Sequence, residues 1–199
     1  MRIKPATMKT KLLLALLALA PMGATVAASA TYTLDPNHTY PSFEADHMGG
    51  VSVWRGKLNH TTGKVVLDKQ KGSGTLHVDL DLSSIDFGQD KLNAWATSKE
   101  FFDIAKYPDA SYNGQLAGFV SGAPTRVDGQ LTLHGVTKPV SLTINSFKCI
   151  PHPLYKRELC GADALAHFNR ADFGLDMGKS YGFSMDVTLR IQVEGLKDK

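Results

Sequence analysis

The first candidate for chemistry is the run Gly178-Lys179-Ser180-Tyr181-Gly182, which fits the pattern G-x-S-x-G. In hydrolases this pattern places a nucleophilic serine on a sharp turn between a strand and a following helix. Here an alternating apolar run follows instead, from Tyr181 to Val193, and such alternation is typical of a strand. The pattern therefore predicts a glycine-rich hairpin turn. A hydrolase that uses Ser180 remains the third of three functional hypotheses.

Metal ligands are the next residue types to consider. Asp79-Leu80-Asp81-Leu82-Ser83 has carboxylates at the spacing of a calcium loop, but Ser84 stands where such a loop needs glycine. The seven histidines show neither a helical pair with a glutamate nor a Cys/His zinc spacing. We therefore expect no catalytic residue, no metal site and no cofactor other than a bound ligand.

The two cysteines, Cys149 and Cys160, are close enough in sequence to close a short loop. In an exported protein such a pair usually meets an oxidising compartment, which predicts a disulfide. Two unpaired thiols are the alternative. A redox-active pair is not indicated, because the spacing is not C-x-x-C.

Export itself is predicted from residues 1–30. Arg2, Lys4, Lys9 and Lys11 precede an apolar run that is too short to span a bilayer, and Ala28-Ser29-Ala30 has the small residues of a signal-peptidase site. Cleavage after Ala30 would place residues 31–199 in the periplasm as one domain. It would also remove four basic residues and no acid, changing the net charge from +3 to about −1. The mature chain is then expected to bind no nucleic acid and to insert stably into no membrane.

The elements that must position any site are mostly strands. Apolar and polar residues alternate along eight to ten segments that are separated by turns, and the crossover helices of a parallel sheet are missing. One short helix is expected over Gln89 to Thr97, leading into a helical plug and corner between Ser98 and Ala110, where Phe101 and Phe102 are adjacent. Adjacent residues on a strand face opposite sides, so this pair indicates a departure from strand. The expected fold is therefore all-β, either a barrel or a sandwich.

An unusual number of large apolar side chains share the inferred inward faces. They are Phe43, Trp54, Leu58, Leu80, Leu82, Tyr112, Leu131, Leu133, Met185 and Val187. His47 lies on the same face as Phe43. A closed barrel of about eight strands has room for these side chains alone or for one small ligand as well. Periodicity does not distinguish a packed core from a lined cavity.

Four segments, in this order, resemble the YceI-like family of bacterial periplasmic proteins. They are Leu34-Asp35-Pro36-Asn37-His38-Thr39, Lys99-Glu100-Phe101-Phe102-Asp103 with Tyr107-Pro108, Gly129-Gln130-Leu131-Thr132-Leu133-His134-Gly135-Val136-Thr137-Lys138, and Phe168-Asn169-Arg170-Ala171-Asp172-Phe173-Gly174. The third and fourth segments are the specific ones. The likeness extends over essentially all of residues 31–199.

The resemblance implies an antiparallel lipocalin-like barrel of about eight strands, with one short helix as a plug. Its interior would hold a long isoprenoid-type lipid, polyprenyl or quinone-like, for periplasmic binding, storage or transport without catalysis. Trp95, Phe101 and Phe102 would then form an apolar wall or gate at one end, and Phe168 would join the lining. At the mouth, His47, Tyr112 and Asn169 are expected to hold the head group.

A second hypothesis needs no lipid. In it the barrel is a solid-cored β module that binds a protein or cell-envelope partner. A homodimer is compatible with either hypothesis.

Overall fold

The computed structural model describes residues 1–2 and 29–199, and the predicted signal peptide therefore lies almost entirely outside the described residues. The described part contains twelve strands: β1 (Ala30–Leu34), β2 (Tyr40–His47), β3 (Ser52–Leu58), β4 (Thr61–Asp68), β5 (Ser73–Asp81), β6 (Ile85–Asp86), β7 (Asp109–Ala117), β8 (Arg126–Leu133), β9 (Val136–Pro139), β10 (Leu142–Pro151), β11 (Glu158–Asn169) and β12 (Asp186–Lys197). The helix α1 (Asp90–Thr97) separates β6 from β7. Short 3-10 turns occur at Leu82–Ser84, Arg170–Phe173 and Lys179–Tyr181.

The strands form one closed antiparallel barrel, because four pairs of consecutive segments each act as one long, bent strand. β9 and β10 are one such pair, since both pair with β8. β1 and β2 both pair with β12 and form one long strand. β4 and β3 form the next one, because β4 pairs with β1 and β3 pairs with β2. β5 and β6 form the third, because β5 pairs with β4 and β6 pairs with β3. Through β7, β8, β10 and β11 the sheet then returns to β12, which gives a ring of eight strands. The expected all-β barrel with one short helix is confirmed.

The first bend is made by the segment between β1 and β2. Asp35 accepts a hydrogen bond from the backbone N–H of Asn37 at 2.9 Å, and its carboxylate lies 2.8 Å from Nδ1 of His38. Asp35 forms an Asx-type turn here, and Pro36 supplies a suitable φ. The buried Thr39 restores the interrupted ladder, since its hydroxyl donates to the carbonyl of Glu194 at 3.3 Å. The chain therefore leaves β12 and rejoins it without opening the barrel.

Glycine at position 56 supplies space inside the barrel, as a glycine within a strand often does. A Cβ placed there would lie 2.5 Å from Cζ of Phe43 on the neighbouring strand. The ring of Phe43 therefore occupies the position that a side chain at residue 56 would need.

The helix begins and ends where its sequence predicts. The side chain of Gln89 accepts a hydrogen bond from the N–H of Leu92 at 2.6 Å, and the hydroxyl of Ser98 donates to the carbonyl of Trp95 at 2.7 Å. The predicted helical plug over residues 98–110 is wrong in one respect, because Phe101 and Phe102 lie beyond the helix in a series of turns. The turns bury parts of both rings against the barrel, which a continued helix facing one way could not do.

One other segment differs from the sequence expectation. Residues 178–182 form a 3-10 turn flanked by Gly178 and Gly182, both with positive φ, and β12 begins only at Asp186. The predicted strand from Tyr181 started too early, because alternation continues through a segment that pairs with no strand. The predicted disulfide is confirmed: β10 and β11 form a β-hairpin in which Cys149 and Cys160 are directly opposite and bonded to each other.

Removing this disulfide by the double substitution Cys149→Ala and Cys160→Ala is expected to lower the free energy of unfolding by about 2–4 kcal/mol, because the unfolded chain loses a constraint. Urea denaturation measures the change. Dithiothreitol should shift the wild-type midpoint in the same direction and leave that of the double variant unchanged. A variant as stable as the oxidised wild type would show that the hairpin alone supplies the constraint.

An apolar cavity through the barrel

An elongated cavity of about 440 Å³ occupies the barrel interior. Residues from both ends line it: Trp95 and Phe183 belong to the end that carries α1, called here the upper end, and Tyr32 and Cys160 belong to the opposite, lower end. The lining is almost entirely apolar. Protein interiors are close-packed, and their voids rarely exceed one water molecule. A cavity of this size is therefore a ligand-sized space and not a packing defect.

The structure brings most of the sequence-predicted residues together on the wall of this cavity. These are Phe43, Trp54, Leu58, Leu80, Leu82, Trp95, Phe101, Phe102, Tyr112, Leu131, Leu133, Phe168 and Val187. They come from seven strands, the 3-10 turn Leu82–Ser84, the helix and the turns that follow it. The barrel places them on one surface because inward residues alternate along each strand.

Three predicted residues do not line the cavity. The imidazole of His47 stacks on Trp54, with ring centroids 4.5 Å apart, and contacts Phe183 edge-on at 5.0 Å. The side chain of Asn169 caps a 3-10 turn by accepting a hydrogen bond from the N–H of Ala171 at 3.0 Å. Met185 is buried but is not part of the cavity wall. His47 and Asn169 therefore support neighbouring elements in this structure.

Part of the lining lies outside the set of residues predicted from the sequence. Most of the missed residues are aliphatic and follow the same inward alternation as the predicted ones: Leu34, Val65, Leu67, Leu76, Val78, Leu189, Ile191 and Val193. That alternation was a usable signal for them. Phe87, Phe183 and Arg170 lie outside regular alternation, so only their tertiary positions reveal them.

Aromatic rings concentrate at the upper end. Trp95 stacks on Phe101 with centroids 4.9 Å apart, and Phe101 meets Phe102 edge-on at 4.6 Å. Across the opening, Phe87 contacts Phe43 at 5.2 Å and Trp54 at 6.2 Å. The wall is therefore aromatic at this end and mainly aliphatic further down.

The segments that contain Tyr107, His134 and Phe173 meet behind this aromatic end. His134 and Gly135 both have positive φ, as a two-residue type I′ hairpin turn between β8 and β9 requires. The ring of Tyr107 packs on His134 with centroids 4.4 Å apart, and a Cβ on Gly135 would lie 2.7 Å from that tyrosine ring. Nδ1 of His134 lies 3.2 Å from the carbonyl oxygen of Phe173. These contacts fix the turns beside the opening.

The lower end carries a polar group of three side chains. The hydroxyl of Tyr32 donates to the carboxylate of Glu158, which also accepts from Nζ of Lys69 at 2.8 Å. Burial, and next the hydrogen bond to Glu158, raise the pKa of Tyr32. Burial alone would raise the pKa of Glu158, but the hydrogen bonds from Lys69 and Tyr32 lower it. At neutral pH the carboxylate is therefore ionised and holds both partners across this end of the barrel.

Tyr112 lies within the wall and presents no free hydroxyl. Its O–H donates to the carbonyl of Val140 at 2.7 Å, and burial, followed by the charge of Asp128, raises its pKa. The phenol is therefore neutral and already hydrogen-bonded. It contributes ring surface to the cavity more than a polar contact.

Thr61 also lines the cavity, and its hydroxyl is the one buried side-chain polar atom without a hydrogen-bond partner in the described residues. Replacing it with valine keeps the shape and removes the buried hydroxyl. We expect Thr61→Val to raise the free energy of unfolding of the ligand-free protein by about 1 kcal/mol, as measured by urea denaturation. Thr62→Val, at the exposed neighbouring position, is the control and should change little. A destabilised Thr61→Val variant would contradict the expectation.

The described residues show no arrangement for nucleophilic catalysis at Ser180, whose exposed hydroxyl has no hydrogen-bond partner there. The cluster with the spacing of a metal site consists of Cys149, Cys160 and Glu158. Its sulfurs form the disulfide and its carboxylate binds Tyr32 and Lys69, so this cluster offers no free set of ligands. Within residues 1–2 and 29–199, none of the helices has the length and hydrophobicity needed to cross a bilayer.

Fold and cavity together define a lipocalin-like protein: a closed eight-stranded antiparallel barrel around an apolar cavity. Residues 32–195 match the model of the YceI-like domain, and the chain belongs to that family. Among its relatives, a UPF0312 protein of Pseudomonas savastanoi pv. phaseolicola is 30% identical over 179 residues, which are 87% of this chain and 90% of the relative. A UPF0312 protein of Shewanella denitrificans is 29% identical over 197 residues, covering 96% of this chain and all of the relative.

Solved structures share the fold at low sequence identity. The chain is similar to BcnA of Burkholderia cenocepacia, with a TM-score of 0.63 and 18% identity over 81% of this chain and 98% of that one. A polyisoprenoid binding domain from Saccharophagus degradans gives a TM-score of 0.60 and 18% identity, covering 85% and 99% of the two chains. The YCEI protein of Campylobacter jejuni gives 0.64 and 19%, covering 75% and 88%.

Proposed function

We propose that this protein binds one long apolar molecule of the isoprenoid class inside its barrel, and stores or carries it in the periplasm. The observation that carries the proposal is the apolar cavity of about 440 Å³ that extends from the aromatic upper end to the polar lower end. Burying a hydrocarbon chain there would contribute about 0.8 kcal/mol per CH₂. The polyisoprenoid binding described for the neighbour from Saccharophagus degradans supports the same ligand class.

Binding without catalysis fits the chemistry of the wall. Polar side chains in the lining are few, and those of Tyr112 and Tyr32 already have hydrogen-bond partners in the protein. The solid-cored alternative does not account for the cavity. Export to the periplasm is supported by the residues of the predicted signal peptide and by the disulfide.

The test is to extract protein purified from its native host with organic solvent and to identify the released lipids by mass spectrometry. We expect a stoichiometric isoprenoid-type lipid. Protein that has been delipidated and incubated with farnesene should show quenching of Trp54 and Trp95, which both line the cavity. Absence of a stoichiometric lipid, together with no binding of farnesene, would refute the proposal.

A further inference from the structure

Among the described residues, one cationic side chain interrupts the apolar wall. Arg170 is only 7% exposed and lines the cavity at its upper end. Its guanidinium lies over the ring of Phe101, with Cζ 5.7 Å from the centroid, and Phe101 in turn stacks on Trp95. Among the cavity-lining residues of the described chain, it is the one lysine or arginine.

The positive charge of Arg170 has no direct carboxylate partner. Within residues 29–199 no carboxylate oxygen lies within 4.0 Å of its guanidinium, which donates hydrogen bonds to the carbonyls of Leu175 and Met177, the latter at 2.8 Å. Burial lowers the pKa of Arg170, while the charges of Asp176 and Asp46 oppose that shift. A buried charge without an ion pair is costly, and hydrogen bonds to two carbonyls could be made by a neutral donor. The charge therefore calls for a further explanation.

Two carboxylates act on Arg170 through their charge, Asp176 first and Asp46 second, and neither forms an ion pair with it among the described residues. In the described part of the chain, Asp46 is the one acidic residue of the cavity wall, and it accepts from the backbone N–H groups of Gly49, Gly50 and Ser184 at 2.9, 2.6 and 2.8 Å. These bonds join the β2–β3 turn to the segment before β12. The carboxylate of Asp46 is therefore already hydrogen-bonded to the loops. The guanidinium of Arg170 has five N–H groups, so it can still donate to another acceptor.

We infer that Arg170 holds the head group of the cavity ligand through an acceptor oxygen, and that this contact orients the ligand with its head at the aromatic end and its tail toward Tyr32. The inference rests on the proposed function. The chemistry required is an oxygen that accepts charge-assisted hydrogen bonds, as in a phosphate ester or the carbonyl of a quinone ring. The rings of Trp95 and Phe101 offer flat surfaces beside that oxygen.

The experiment compares probes that share one tail. Farnesene carries no oxygen, and farnesyl phosphate carries anionic oxygens. A ubiquinone with the same farnesyl tail carries carbonyl oxygens. Tryptophan quenching gives the affinity of each probe for wild-type protein, Arg170→Met and Arg170→Lys. Arg190→Met is the matched control, because Arg190 lies exposed on the outer face of β12 and pairs with Glu44.

We expect wild-type protein and Arg190→Met to bind at least one oxygenated probe about tenfold or more tightly than farnesene. Arg170→Met should abolish that preference while farnesene binds as before, and Arg170→Lys should keep part of it. The preferred probe distinguishes a phosphate from a quinone head group.

The inference is overturned if wild-type protein shows no preference, a result that needs no variant and does not depend on whether the variants fold. It is also overturned if Arg170→Met weakens the binding of all three probes equally, because Arg170 would then act only by holding the backbone of residues 174–178 in place. Failure of every probe to bind wild-type protein, farnesene included, would instead refute the proposed function.

Discussion

Phe173→Ala is expected to lower the free energy of unfolding by about 3–5 kcal/mol, the range for removing a fully buried phenylalanine. Its side chain is 1% exposed, belongs to the main core cluster and meets Phe168 edge-on at 5.4 Å. It does not line the cavity, so its loss creates an empty space in packed protein. Urea denaturation of ligand-free protein measures the effect.

Phe102→Ala is the matched comparison, because Phe102 lines the cavity and is only partly buried. We expect this variant to lose retained lipid more than it loses stability, since its ring faces the ligand space. Lipid content after purification is compared with the unfolding midpoint for both variants. Equal losses of stability in the two variants would show that Phe102 belongs to the ordinary core, and an unaffected Phe173→Ala would refute its role in packing.

Leu133→Trp should remove most ligand binding while leaving the barrel folded. Leu133 is buried from solvent, and its side chain lines the cavity. The cavity can therefore accept a larger ring in place of the ligand. Farnesene binding is measured by displacement of a fluorescent fatty acid, because the substitution itself adds a tryptophan. Circular dichroism and urea denaturation check the fold.

Met185→Trp is the control for that experiment. Met185 is equally buried but lies outside the cavity wall, so a larger ring has no space to enter. We expect overpacking to cost about 1–3 kcal/mol of unfolding free energy. If Leu133→Trp is destabilised as much as Met185→Trp and still binds farnesene, the cavity is not the ligand site.

Alternation alone determined which way most strand residues face. Leu76, Val78 and Leu80 line the cavity as the period of two requires, because side chains on a strand alternate between faces whatever the strand pairs with. Turn geometry is set locally as well, as in the Asx turn at Asp35 and the two-residue turn at His134 and Gly135. The helix cap at Gln89 was local as well.

Segments outside regular structure could not be assigned in this way. Alternation continued from Tyr181 to Met185 although no neighbouring strand pairs with those residues, so β12 was predicted to start too early. Phe101 and Phe102 were recognised as an interruption, but whether they continued a helix depended on contacts with Trp95 and Arg170. His47 and Asn169 were predicted at the head group from residue type, whereas the structure uses them in a ring stack and a cap.

By itself, then, the sequence of this protein determined an all-β chain with inward apolar faces and one short helix, and it predicted a disulfide with two unpaired thiols as the alternative. Only the tertiary structure decided that those faces enclose a cavity instead of filling it, because volume depends on how far opposite walls of the barrel stand apart, and no local pattern encodes that distance. The tertiary structure likewise decided that Arg170, in sequence one residue of a turn, lies buried beside the aromatic end of that cavity.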